Sequence, residues 1–285
     1  MKHSNRRTSH RATAVAVLAC LCPWAQADTD WGGALLFDGV DDYARIADTL
    51  ALPLGNSAYT QEFWLRLDAP QPSYGGYGGF VLSRGAEGFV QGNHMVVING
   101  NAGLTHWGVD RDTGVPLAVG EWHHVAATWD GSQESLYLDG VLSWQASAPT
   151  LNVAGGSFTL GAHDNGYGYF LKGALDEVRI WNVARSAAEI QANYAQTVAA
   201  GSPGLVGYWQ FNEADGQTLL DNSAYAQNLT LGGSDQVGSD DPLRVLSTIP
   251  AVPEPASWAT LAAGGLALSV WVAGRRRAAR RLAGG

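Results

Sequence analysis

The chain has 285 residues, with 36 glycines, 11 tryptophans and only 15% charged side chains, and its 17 basic against 26 acidic residues give a formal net charge of −9. Nine of the basic residues sit at the two ends, so the stretch from Asp28 to Val252 holds eight basic against 25 acidic residues, a formal net of about −17. Such a body is a poor partner for nucleic acid, whose binding rests on Lys and Arg neutralising phosphates, and a better one for divalent cations.

At the front, Lys2, Arg6, Arg7 and Arg11 precede the apolar 12–21, and Ala25-Gln26-Ala27 has the small-x-small form of a cleavage site. This predicts a secretory signal peptide over 1–27, cut after Ala27. Both cysteines, Cys20 and Cys22, leave with it, so the mature chain has neither a disulfide nor a cysteine metal site.

From Asp28 onward, short alternating apolar segments are separated by turn residues at intervals of roughly 8 to 15, the spacing of an all-β sandwich. Strands are predicted at 34–37, 59–67, 79–83, 95–98, 104–109, 122–129, 135–138, 141–144, 158–161, 175–181 and 205–211. Asp139-Gly140, with Leu136-Tyr137-Leu138 before it and Val141-Leu142 after, predicts a two-residue hairpin. Ser186 with Glu189 three residues on, followed by Ile190 and Tyr194, predicts one short helix opened by a capping box.

The segment 204–213 has two readings, the start of a truncated second domain or a return to the first that packs Trp209 and Phe211 into its core. Too few residues follow for another sandwich, which favours the return, with 229–231 as a last edge strand. The organisation predicted is one domain over 28–242 and a linker over 243–251.

At the back, Val252-Pro253-Glu254-Pro255 precedes an apolar run over 256–274 and then Arg275-Arg276-Arg277. About 19 apolar residues suffice for a helix to cross a hydrocarbon core, and the arginines hold its far end on the cytoplasmic side. The prolines impose an extended backbone just before the span. This constellation, over 252–281, resembles the PEP-CTERM sorting signal of Gram-negative bacteria. The resemblance implies a precursor anchored in the inner membrane and an exosortase that processes it at Pro253, Glu254 and Pro255. It also implies delivery to the cell surface or an exopolysaccharide (biofilm) matrix. The alternative is an ordinary tail anchor that is never cut.

Leu36-Phe37-Asp38-Gly39, Gly120-Glu121-Trp122-His123-His124-Val125, Leu138-Asp139-Gly140 and Gly173-Ala174-Leu175-Asp176-Glu177-Val178-Arg179-Ile180-Trp181 carry a second resemblance. In this order they resemble LamG-like domains, which are concanavalin A-like jelly rolls of two antiparallel sheets. That fold hosts both binding modules and glycosidases, so the reaction must be argued from residues. A glycosidase needs two carboxyl groups facing each other across a bond; the chain shows adjacent pairs (Asp41-Asp42, Asp176-Glu177, Asp240-Asp241) whose side chains diverge on a strand. His123 and His124 diverge in the same way and read as structural, and Trp122, Trp129, Trp181 and Trp209 read as core.

The resemblance and the acidic body together point to Ca2+ at the sandwich rim, with Asp38 and Asp176 as ligands. Asp38 has the alternative role of capping its own Asp-Gly turn. For a ligand face, aromatic rings set in glycine stand out: Tyr74 and Tyr77 in one loop, Tyr167 and Tyr169 in another. Such rings stack on sugar faces, or else pack over sheet edges while the glycines supply turns. The function expected is that of an exported, non-catalytic protein binding a polysaccharide or another surface component. A matrix protein without a ligand and a polysaccharide-active enzyme are the rivals.

Overall fold

The computed structural model describes residues 31–46, 51–71, 76–163 and 168–250. In chain order their elements are β1 (Gly33–Asp38), β2 (Ala44–Ile46), β3 (Tyr59–Leu67), β4 (Tyr77–Gly85), β5 (Gly92–Ile98), β6 (Asn101–Thr105), β7 (Asp110–Pro116), β8 (Trp122–Trp129) and β9 (Gln133–Leu138). Then come β10 (Val141–Ser147), β11 (Phe158–Leu160), β12 (Lys172–Trp181), α1 (Ala187–Asn193), β13 (Leu205–Trp209), β14 (Thr218–Leu219), β15 (Leu229–Leu231) and β16 (Leu243–Leu246). The strands form two antiparallel sheets. The first runs β10-β9-β8-β3-β12-β1-β16, with β13 also on β12, and the second runs β14-β15-β2-β11-β4-β5-β6-β7. This is the all-β jelly-roll sandwich with one short helix that the sequence predicts.

Period-two alternation builds the core. On β3, Phe63, Leu65 and Leu67 turn inward, and on β5 Met95 and Val97 do, where they meet Val125, Leu136, Leu175 and Val178 between the sheets. At β9–β10, Asp139 and Gly140 both take positive φ (50° and 78°), the backbone that closes a two-residue hairpin with Leu138 opposite Val141. Ser186 caps α1: its hydroxyl accepts from the Glu189 N–H, and the Glu189 carboxylate accepts from the Ser186 N–H.

β12 is the strand on which the first sheet is organised. It pairs with β3 along nearly its whole length, and on its other edge with β1 over its first half and with β13 over its second. The switch occurs at a bulge, where the register slips between Asp176 and Arg179 and Glu177 takes φ 51°. Segment 204–213 thus returns to the sandwich: Trp209 is fully buried, stacks on Phe158 of the other sheet at 5.1 Å and donates its indole N–H to the Gln227 carbonyl. Phe211 is buried beside it.

Four findings depart from expectation. The stretch 243–251 is not a free linker, because β16 pairs with β1 in register Gly33–Leu246 and Ile249 is buried against Trp31 and Trp64. Strand β15 is an interior strand between β14 and β2 rather than an edge. The strand expected at 104–109 ends at Thr105, since Trp107 turns with φ 55°. Trp122 is half-buried, with the Arg66 guanidinium 5.3 Å over its ring and its N–H on Thr248, whereas Trp129, Trp181 and Trp209 are buried. Among the described residues no helix is long and apolar enough to cross a membrane; the span expected over 256–274, like Ala27, Pro253, Glu254 and Pro255, lies outside them.

The two tryptophans give a direct check of the core. Trp209→Ala should lower unfolding free energy by about 3–5 kcal/mol, the cost of truncating a large core aromatic. Trp122→Ala should cost about 1 kcal/mol, read by urea unfolding of the two variants side by side.

Candidate functional site

The two outer faces of the sandwich differ. That of the first sheet carries charge. Glu62, Arg179 and Glu177 stand there fully buried, together with Arg185 from the segment leading into α1. Glu62 accepts from Arg185 at 2.9 and 3.2 Å and from the Trp181 indole at 3.0 Å. Glu177 pairs with Arg179 and accepts from the Tyr208 hydroxyl at 2.5 Å and from Gln210 at 2.9 Å. Arg179 also reaches the carbonyls of Asn193 and Gln196, and so ties the covering segment to the sheet. Over this network lie α1, through Ile190 against Ala126 and Tyr137, and the last of the described residues, through Thr248 and Ile249. His124 is enclosed here edge-on to Trp64, and burial, with the nearby Arg179 charge, lowers its imidazole to about 3, so that it stays neutral.

On the second sheet the residues of β4 to β6 are buried except Tyr77 and Asn101, which are half-buried, and only β7 alternates with exposed positions. The floor of its outer face is the small cluster Phe80, Val96 and Ile98. Gly103 on β6 must lack a side chain, because a Cβ there would lie 2.6 Å from the Ile98 side chain. Over the floor stand half-exposed rings. Tyr77 meets Tyr169 edge-on at 6.4 Å, and Tyr169 lies 5.4 Å from Phe80 and 6.0 Å from His163. His163 in turn lies 5.7 Å from Trp107 and 5.5 Å from the buried His94.

Backbone pairing fixes this group, since the Phe80 N–H donates to the Tyr169 carbonyl at 2.8 Å and His163 N–H to Gly168 at 3.1 Å. Tyr77 comes from β4, yet its hydroxyl is hydrogen-bonded to Asp110 at the start of β7, so the ring reaches across the strands between. Burial, and then that carboxylate, push its phenol up to about 12.

Polar groups border the rings. Asp112 on β7 accepts from Asn99 at 3.0 Å, Asn101 at 2.8 Å and the Gly114 N–H at 3.1 Å. Burial works against its charge, but those hydrogen bonds prevail and hold its carboxyl below the usual range. Asp110 and Asp112 occupy alternate positions of one strand, the spacing that two cooperating carboxyl groups need. Asp112 nevertheless stays ionised, the opposite of what a general acid requires. Flat rings beside fixed carboxylate and amide groups are suited to holding a polyhydroxylated ring by stacking and hydrogen bonds.

At the rim, where the chain crosses from β1 to β2, Asp38, Asp41 and Asp42 bring one oxygen each within 4.8 Å of one another. The Asp38 carboxylate accepts from the N–H groups of Val40 (2.7 Å) and Asp41 (3.4 Å), so it does cap its own turn. Asp42 accepts from the Asp38 N–H at 2.7 Å, and Asp41 from the Ser239 hydroxyl at 3.1 Å. Asp42 is nearly sealed from solvent. That burial, joined by the negative charges of Asp38, Asp41 and Asp241, raises its carboxyl to about 6 despite the hydrogen bond from Asp38. Three carboxylate oxygens within 4.8 Å of one another are ligands of the kind a hard divalent cation takes.

Of the residues singled out from sequence, the half-buried Tyr77 and Tyr169 come together on the outer face of the second sheet, while Tyr74 and Tyr167 lie outside the described residues. Asp38 and Asp176 do not meet. Asp38 pairs with Lys172, and Asp176 is four residues further along β12, about 13 Å at strand rise. Asp176 is also fully buried, which pushes its carboxyl well above the usual range; the Ser247 hydroxyl and the Glu177 N–H offset this only in part, and it is not among the acids that gather around Asp38. Sequence reasoning missed Asp41 and Asp42 as partners of Asp38, although adjacency in one turn marks them. It also missed Asp110, Asp112, Trp107 and His163, of which only the period-two Asp-x-Asp could be found without knowing strand order.

Residues 38–191, more than half of the chain, match the family described as the Concanavalin A-like lectin/glucanases superfamily. Among curated proteins the chain is 27% identical over 179 residues to pappalysin-1 of Mus musculus, a match covering 55% of this chain and 11% of that protein. It thus spans about a tenth of that relative's length. Among solved structures it is similar to a Bacteroides ovatus protein described as carbohydrate-binding, with 19% identity, 78% of this chain and 61% of that chain covered, and a TM-score of 0.56. It is also similar to domain 4 of the extracellular arabinanase AbnA of Geobacillus stearothermophilus, in complex with arabinotriose, with 20% identity, coverage of 56% and 75%, and a TM-score of 0.46.

Asp42 carries a pH signature with a definite sign. Its carboxyl titrates near 6 when folded against 3.8 as the reference, so the folded state holds the extra proton between these values, and stability falls as pH rises through that window. In chelator, Asp42→Asn should therefore melt above the wild type at pH 7.5, with the gap closing by pH 4. Thermal melts across that range check both the sign and the window.

Proposed function

Because the chain belongs to the Concanavalin A-like lectin/glucanases superfamily, we propose that it is a non-catalytic carbohydrate-binding protein whose ligand lies on the outer face of the second sheet. The observation that carries this reading is the asymmetry of the two faces. One is closed by α1 and the C-terminal segment, and the other presents the half-exposed Tyr77 and Tyr169 over an apolar floor with Asn99, Asn101 and Asp112 at its border. Two glycosyl faces can stack where the two phenol rings stand, and the bordering carboxylate and amides orient their hydroxyl groups. The fold likeness to a protein described as carbohydrate-binding supports the substrate class and says nothing of which sugar.

Two finer elements belong to the proposal. The first is export and display at the cell surface or in an exopolysaccharide matrix, with removal of 1–27 and exosortase processing at Pro253-Glu254-Pro255. Its support is the pair of terminal motifs. The second is Ca2+ at Asp38, Asp41 and Asp42, supported by the convergence of their oxygens; the ion would pin the rim turn between β1 and β2 and supply no chemistry to a substrate.

Binding is tested on a glycan array with the wild type and with Tyr77→Ala and Tyr169→Ala. Each replacement should weaken array binding by about 1 kcal/mol or more, roughly fivefold, while costing about 1 kcal/mol of stability. Phe80→Ala beneath them should cost about 3–5 kcal/mol. If the wild type binds nothing, and the tyrosine variants destabilise as much as Phe80→Ala, the rings are packing and the protein is a matrix component without a sugar ligand.

The metal is tested by melting. Calcium at a hundredfold excess over Kd should stabilise the protein by about 2.7 kcal/mol, with the gain removed by chelator. Asp41→Asn should abolish the response and Asp176→Asn should leave it. A melting curve indifferent to chelator and millimolar calcium would remove the ion from the account.

A further inference from the structure

The cover over the first sheet is incomplete at one place. Between α1 and the turn 197–203 there is a recess of about 340 Å3, on the opposite side of the sandwich from the aromatic face. Trp181 and Arg185, 4% and 7% exposed, form its floor, with the guanidinium 4.2 Å over the indole ring. Val198 and Pro203 add apolar walls, while Asn193, Thr197 and Ser202 add hydroxyl and amide groups.

The walls are held before any ligand arrives. Asn182 N–H donates to the Gly204 carbonyl at 2.8 Å, Ser202 N–H to Ala199 at 2.9 Å and Leu205 N–H to Ser202 at 3.1 Å, which closes the turn on itself. Arg185 clamps the helix side, reaching the Asn193 side-chain oxygen at 2.5 Å and the Glu189 carbonyl at 3.2 Å, while its backbone N–H donates to Thr60 at 2.9 Å. A site assembled in advance loses less entropy on binding.

We propose that this recess is a second ligand site, for one neutral sugar ring or comparable polyol, independent of the aromatic face. Charge balance selects the class. The Arg185 guanidinium is already matched by the Glu62 carboxylate at 2.9 and 3.2 Å, and the Glu189 carboxylate is turned to the Ser186 N–H and hydroxyl at 2.8 and 2.6 Å. The matched guanidinium leaves no positive charge for an anion, while the Glu189 carboxylate, whose bonds from Ser186 both go to Oε2, keeps Oε1 to accept from a hydroxyl. With its oxygen taken by Arg185, Asn193 offers its NH2 group, and the hydroxyls of Thr197 and Ser202 both give and accept. Apolar walls beneath a rim of amide, hydroxyl and carboxylate groups suit a molecule with apolar faces and hydroxyl edges. The volume, at the small end of ligand sites (about 300–1,000 Å3), takes a single ring rather than a length of polymer.

The test is a titration of the 15N-labelled full chain with methyl glucoside, methyl galactoside and methyl N-acetylglucosaminide, following the amides of Thr197, Val198 and Ser202 and the Trp181 indole N–H. At least one probe should give saturable shifts there. Ser202→Trp, which fills the recess, should weaken them at least tenfold, and the Tyr77→Ala/Tyr169→Ala double variant should leave them unchanged. Thr197→Tyr serves as the filling variant if Ser202→Trp lowers the melting temperature. Absence of saturable shifts with all three probes, or shifts that survive both filling variants, overturns the proposal. Shifts lost in the tyrosine variant overturn its independence, and array binding that persists in Ser202→Trp keeps the aromatic face separate from this outcome.

Discussion

The arrangement depends on four buried charges. Glu62, Glu177, Arg179 and Arg185 stand on the outer face of the first sheet, where a sandwich could have exposed polar groups to water or buried apolar ones. Burial works against the Arg179 charge, yet the two carboxylates beside it, Glu177 and Glu62, outweigh it and hold the guanidinium above its ordinary range. Such a network adds little net stability compared with an apolar replacement, but removing one member leaves a lone buried charge at a cost of about 3–5 kcal/mol. It therefore accepts one cover and rejects others. Only a segment bringing Arg185, a helix with a free carbonyl at Asn193 and a strand carrying Tyr208 completes the hydrogen bonds.

That requirement explains the bulge on β12. A regular strand would place Asp176 and Glu177 on opposite faces and send one into the apolar core. The extra residue, with Glu177 at positive φ and its N–H held by the Asp176 carboxylate at 2.6 Å, keeps both acids on the covered side. It also marks the point where β1 leaves off and β13 begins, so that the return of the chain through Trp209 depends on the same local kink. With one face committed to its cover, the proposed recognition of an extended ligand is left to the other, where glycine keeps the floor low and the rings are set by backbone pairing.

Local chemistry was readable from residue order, and assembly was not. The Asp139-Gly140 turn, the Ser186–Glu189 box and strands β3 and β8 stand where their patterns place them, because each is decided within a few residues. The edge strand β7, Asp-Arg-Asp-Thr-Gly-Val-Pro, has too little apolar alternation to announce itself, and β2, β14 and β16 are too short. The pairing of Tyr77 with Tyr169 could be guessed from rings set in glycine. The contributions of Trp107, His94 and His163 depend on β4 lying beside β5 and β11, a property of the whole topology. Asp176 misled because Asp-Glu-Val-Arg-Ile reads alike at a wet rim and beneath a cover.

The described chain enters at Trp31 and leaves past Ile249, and these two residues pack against each other and Trp64 on the covered side. Anything that holds the protein through the chain beyond Pro250 therefore pulls from that side, while a polymer stacked on Tyr77 and Tyr169 pulls from the other. Tension between them runs across the sandwich, perpendicular to the strands, and is resisted by the apolar contacts that hold the two sheets together rather than by strand-to-strand hydrogen bonds in shear. The weak member along this line is β16, four residues at the margin of its sheet, with β1 as its one strand partner and the Arg244 side chain reaching the Gly216 and Thr218 carbonyls. Under load it peels first, lengthening the tether by a few residues at the loss of one margin strand, while the rest of the first sheet, the second sheet, the charged network and the aromatic face stay whole.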